Sequence, residues 1–154
     1  MLRCALSALA LLLSLCVTAG AVSLDDFAPR VQDLNVTAHA DLPGFKATLS
    51  SSFGVPVPRI EKLVVALGSP ADAYFCLKLG RLSGHSIERV QHEFQAHRGQ
   101  GWGVIAKNLG IKPGSKAFHE LKNTEKFKQQ HKNKHNNKNQ NKNNKSNKNK
   151  GKKK

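Results

Sequence analysis

After Glu125 this 154-residue chain contains no acidic residue. Cysteine is nearly as scarce, with Cys4, Cys16 and Cys76 the full set, and there is one tryptophan, one tyrosine and one methionine. So few cysteines exclude a disulfide framework, and a hydrophobic core has to do the stabilising. The longest apolar run, residues 5–17, is too short for a comfortable membrane span, and no later run could stop transfer.

Catalytic signatures are missing too. The chain has no Gly-x-Ser-x-Gly elbow, no phosphate loop and no dinucleotide fingerprint. His92-Glu93-Phe94-Gln95-Ala96-His97 invites comparison with a zinc-protease helix, but its histidines are five residues apart rather than four. That spacing turns one ring roughly 140° away from the other on a helix, so the two cannot share a metal. Asp25-Asp26 and the Glu88/Glu93 pair suit helix capping or a solvated face, and a Cys76/His85 pair has no third group to orient it. The expectation is a non-enzymatic protein without cofactor or metal. A hydrolase whose site no motif reveals is the least favoured alternative.

What is present begins with Arg3, the apolar run and Ala19-Gly20-Ala21, a small-x-small cleavage signal. Residues 1–21 therefore read as a secretory signal peptide, and the mature chain is expected to be exported, periplasmic or extracellular. Leu15 stands where a lipoprotein needs a small residue before Cys16, which argues against lipidation. Processing would leave Cys76 as the one thiol. Its place between Phe75 and Leu77 favours a small buried hydrophobe over a reactive group.

Charge divides the rest. Residues 22–125 carry 12 Lys/Arg against 10 Asp/Glu, and residues 126–154 carry 12 Lys with no acid. About a hundred residues before the tail suffice for one domain with a modest core.

Within that domain, Trp102, Ile105, Ala106 and Leu109 recur at i, i+3, i+4 and i+7, one face of a helix. Gly110 suits the C′ position, Ile111 can fold back on the last turn, and Pro113-Gly114 stops the helix. Ser115 can cap a second helix carrying Phe118 and Leu121. Trp102, between Gly101 and Gly103, reads as a core indole in preference to an exposed stacking platform. Upstream, Pro58 opens a helix with Ile60, Leu63, Val64 and Leu67, ended by Gly68. Ser69-Pro70 caps another through Tyr74, Phe75, Leu77, Leu79 and Leu82, and Ser86 caps a third with Ile87, Val90 and Phe94.

Toward the N-terminus, Ser23-Leu24-Asp25-Asp26-Phe27 looks like a capped helix start whose extent Pro29 limits. Leu34, Val36, Ala38 and Ala40 alternate with polar residues, and so do Phe45, Ala47, Leu49, Ser51 and Phe53. Around Asp41-Leu42-Pro43-Gly44 these runs suggest a β-hairpin, although Phe45, Leu49 and Phe53 equally suit a helix. The expected fold is thus mainly α: a single-domain bundle of four to five helices, with a possible N-terminal hairpin and a disordered tail from residue 126.

Two resemblances attach to these residues. Ile105-Ala106-x-x-Leu109-Gly110-Ile111 resembles the middle of a DNA-binding helix-turn-helix. The second helix departs from that pattern, with Lys116 and His119 where the family has apolar residues, and Pro113-Gly114 lengthens the turn. Ser69-Pro70-Ala71-Asp72-Ala73-Tyr74, Gly101-Trp102-Gly103-Val104-Ile105-Ala106 and Leu109 to Ser115 together resemble small exported bacterial proteins of no established function. That resemblance covers roughly residues 53–121 and implies an envelope or secreted location.

Apart from Phe127, Ser146 and Gly151 the tail is lysine, asparagine, glutamine and histidine, with Phe127 its one apolar side chain. Such a segment cannot bury enough surface to offset its ordering entropy. Lys126, Lys128, Lys132, Lys134, Lys138, Lys142, Lys145, Lys148, Lys150, Lys152, Lys153 and Lys154 suit adaptable contact with an anionic polymer, whether envelope phosphates or nucleic acid, through counterion release. Without interleaved aromatics no base-stacking recognition is expected. The plain alternative is a solubilising low-complexity tail. His131 and His135 promise no more than adventitious metal binding. The leading reading is an exported, non-enzymatic binding protein with a polyanion-contacting tail; the alternative is a nucleic-acid-binding protein with the unit from Ile105 to Leu121 and a basic clamp.

Overall fold

Asp41 ends one helix and caps the next, where the alternating pattern suggested a hairpin. The computed structural model describes residues 26–150, with side chains through residue 137. The expected signal peptide and the Ser23 cap lie outside the described residues. Helix α1 (Ala28–Ala40) places Pro29 in its first turn, and α2 (Leu42–Phe53) does the same with Pro43. The Asp41 carboxylate accepts the Gly44 N–H at 3.0 Å. Proline is harmless there because first-turn N–H groups have no intrahelical acceptor. Leu34 and Ala38 are buried on α1, and Phe45, Thr48 and Leu49 on α2, at helical spacing. Val36, which a strand would have buried beside them, is 65 % exposed. The hairpin expectation is therefore corrected: there is no strand among the described residues.

Five further helices fall where capping signals predicted them: α3 (Val57–Leu67), α4 (Pro70–Ser83), α5 (Ile87–Ala96), α6 (Trp102–Asn108) and α7 (Lys116–Lys122). The body thus holds seven helices in place of four or five, because α1 and α2 add two. An eighth, α8 (Glu125–Lys150), follows. The Ser69, Ser86 and Ser115 hydroxyls accept the N–H groups of Asp72, Arg89 and Phe118, each satisfying an orphan donor.

Helix α4 is the axis. It buries Ala71 and every residue from Ala73 to Gly80, and it touches α1, α2, α3, α5, α6 and α7. Close packing is possible at Gly80, where a Cβ would come 3.2 Å from the His85 carbonyl oxygen. The Phe94 and Phe75 rings lie 5.0 and 5.8 Å from Trp102, nearly parallel to it. Phe27 meets Phe75 and Phe118 edge-on at 5.5 and 5.7 Å. Cys76 is a buried thiol pushed up to about 12 by its burial, so it is a core atom without nucleophilic character at neutral pH. No single described helix is long and apolar enough to cross a membrane.

Candidate anion-binding surface

Trp102, Ile105, Ala106 and Leu109 are buried as one stripe, and the indole N–H donates to the Asp72 carboxylate at 2.8 Å. That bond ties the first turn of α6 to the first turn of α4. Gly110, with φ +84°, reverses the chain. Its N–H reaches the Lys107 carbonyl at 3.0 Å, and the Ile111 N–H reaches that of Ala106 at 2.9 Å, a complete Schellman closure. Ile111 is buried, Pro113 is exposed in the turn, and Ser115 caps α7. These residues build the scaffold. The exposed flank of α7 carries Lys116 and His119 beside Glu120.

The scaffold presents α8. The first three turns of the segment expected to be disordered are helical and packed, so the body extends past residue 125. Phe127 is 5 % exposed and wedges between Phe45, at 5.1 Å, and Tyr74, at 4.7 Å. One turn on, His131 is buried edge-on against Phe45, with Nδ1 3.4 Å from the Thr48 hydroxyl. Burial pushes its pKa below the usual imidazole value. Next, His135 Nδ1 lies 2.9 Å from Asp41 Oδ2, and this contact, with the Gly44 N–H, holds the Asp41 carboxyl below the usual range. Phe127, His131 and His135 thus form an i, i+4, i+8 seam along α2. The two histidines act as packing and capping groups; among the described residues no three His, Cys, Asp or Glu side chains converge for a metal.

The tail lysines divide accordingly. Lys128 is committed to Asp33 at 2.7 Å and Glu125 at 2.6 Å, and Lys134 donates to the Ser51 hydroxyl. Lys126 and Lys132 are exposed on the docked turns. Lys138, Lys142, Lys145, Lys148 and Lys150 belong to the helix, with side chains beyond those described, and residues 152–154 lie outside the described residues.

Lys78 was not singled out from the sequence. Its ammonium, with 7 % side-chain exposure, donates to the Tyr74 hydroxyl at 3.0 Å and to the Asn123 carbonyl, and lies 3.9 Å from Glu120. Desolvation lowers its pKa to about 8 against the partial support of Glu120. The same burial raises the Tyr74 pKa, and its hydroxyl donates to the Asn123 carbonyl at 3.3 Å. One lysine inside the apolar run from Ala73 to Leu79 was the available signal; only the fold brings it to the α7 terminus, where cations complement the exposed carbonyls.

No family model matches this chain, and no curated protein or solved structure is significantly similar to it.

Proposed function

We propose that the protein is an exported, non-enzymatic binding protein that attaches to anionic polymers through α8. The observation carrying this reading is the charge division: 12 lysines and no acid from residue 126 onward, on a body whose own charge nearly balances. The register of α8 supports it. At about 100° per residue, positions 134, 138, 142, 145 and 148 fall within an arc of roughly 120°. A cationic stripe of that kind runs for about 21 Å, long enough to follow several successive phosphates. Attraction of this type is non-specific and falls steeply with salt. The packing of Phe127 and His131 on α2 anchors the start of that helix to the body.

The helix-turn-helix alternative draws less support from the site. The short α7 turns Phe118 and Leu121 into the core, and Glu120 beside its exposed cations would repel a phosphate backbone.

The test is retention of the full chain on phosphocellulose and on immobilised duplex DNA, compared with a variant replacing Lys134, Lys138, Lys142, Lys145 and Lys148 by Gln. The wild-type chain should be retained at low salt and released by about 0.5 M salt, with the variant eluting early from both matrices. Equal retention of the two proteins would remove the tail's proposed role. Binding of duplex DNA alone, surviving the lysine replacements, would favour the helix-turn-helix reading.

A further inference from the structure

A cavity of about 170 Å³ opens where α4, α7 and the first turns of α8 meet. Its walls bring Lys78, Arg81 and Lys126 together, with Glu120 as the one carboxylate. Three cations on one small concave surface repel one another; Lys78 and Arg81 each hold a carbonyl near a helix end, and neither uses all its donors in doing so. Lys78 has three N–H donors. Two go to the Tyr74 hydroxyl and the Asn123 carbonyl; the Glu120 contact at 3.9 Å is too long to be a hydrogen bond for the third. Arg81 is held in place rather than paired. Its guanidinium lies 4.4 Å over the Phe53 ring and donates one N–H to the Ser52 carbonyl at 3.1 Å, leaving the remaining donors of a planar fork. Lys126 is exposed at the rim. The volume is that of about six waters, enough for a compact polyatomic anion and too small for a nucleotide base with its sugar.

We infer that this cavity is a binding site for one tetrahedral oxyanion, a phosphate group carried as the free ion or as a monoester, held by Lys78 at its floor, Arg81 at its side and Lys126 at its mouth. Three cations approaching from two helices suit an anion with oxygens on several faces better than a planar carboxylate. The site goes beyond the tail reading: it is saturable, sits in the body and does not need the lysines after residue 126. Lys78's depressed basicity reflects burial that the distant Glu120 only partly offsets, and phosphate would supply a closer anion. Because α7 ends and α8 begins at this cavity, a bound phosphate would also fasten the start of the cationic helix.

The experiment is calorimetric titration of the full chain with inorganic phosphate and, separately, with glycerol phosphate, at constant ionic strength. One saturable site is expected for at least one of the two ligands. Arg81→Gln and Lys126→Gln each should weaken it about tenfold, the scale of one charge-assisted contact. Both side chains are exposed, so both variants should fold, as their thermal melts will show. A Lys142→Gln/Lys145→Gln variant should bind as the wild type does. Tighter binding of the free ion would assign an enclosed phosphate site, and tighter binding of the ester would assign a site for a phosphate on a longer molecule. Absence of saturable binding to both ligands overturns the inference. So does an affinity that ignores Arg81 and Lys126, or one that falls equally in the tail variant.

Discussion

Helices α4 and α8 attach to the same core by opposite means. Helix α4 is buried almost all round, so its position is set by neighbours on every side. Helix α8 runs 26 residues, yet among those with described side chains it buries only Phe127 and His131. Its attachment is a seam against α2, reinforced by the tilted contact of Phe127 with Tyr74 and the Lys128–Asp33 ion pair to α1. The lesson is that one aromatic at the right register recruits a helix that composition alone would leave unstructured. Beyond the seam the sequence offers nothing apolar, and a lone polar helix is marginal in water. The charge gradient follows the same line: residues 22–125 nearly balance 12 Lys/Arg with 10 Asp/Glu, whereas α8 carries nine lysines and one acid.

The largest effect should come from cutting each attachment at its aromatic. Phe75→Ala in α4 removes a ring touching Phe27, Tyr74 and Trp102, and is expected to cost about 3–5 kcal/mol of global stability in urea denaturation. Phe127→Ala should instead act locally. Amide-exchange protection in α8 should collapse while that of α4 stays intact. If Phe127→Ala destabilises the body as much as Phe75→Ala, the two attachments are not distinct.

A smaller effect separates the buried cation from the exposed ones. The Lys78 ammonium loses its proton near pH 8 when folded, and nearer 10.5 when unfolded. Between those values the unfolded chain binds more protons, so this lysine makes stability rise with pH, by at most about 1.4 kcal/mol per unit. Cys76 has the opposite sign: folded, it keeps its proton to about 12, whereas unfolded it loses it near 9.0. Stability should therefore climb from pH 8 to 9, level off to about pH 10, and fall above it, where the raised Tyr74 hydroxyl acts with Cys76. Lys78→Met should abolish the climb and leave a decline above pH 9 in the same urea series. A variant that still climbs would place the source elsewhere.

The smallest effect tests local chemistry. Ser115→Ala removes the oxygen that accepts the Phe118 N–H, and should cost about 1 kcal/mol without detaching α8. Circular dichroism melts, with exchange protection in α8 as the control, would check both halves.

Much of this molecule is local and was legible in the sequence. Ser69, Ser86 and Ser115 mark helix starts because a short side-chain oxygen can satisfy an early N–H, and Gly68, Gly84 and Gly110 mark ends because they accept positive φ. The stripe from Trp102 to Leu109 announced its own burial. The N-terminal region was misleading because Asp41-Leu42-Pro43-Gly44 serves a hairpin turn and a capped first helical turn equally well. Leu34 with Ala38, and Phe45 with Leu49, carried the helical spacing, but the period-two alternation of the same stretches obscured it.

By itself, then, the amino-acid order determined a helical class, most helix boundaries and the division of charge, since caps, turns and apolar periodicity act over a few residues. Tertiary structure alone decided that Phe127 would find Phe45 and Tyr74, that His131 would be buried, and that Lys78 would meet the Asn123 carbonyl and share a cavity with Arg81 and Lys126. Apart from Lys78 and Arg81, neighbours on α4, those contacts join residues 45 or more positions apart, and no local propensity specifies which distant surface a side chain will meet.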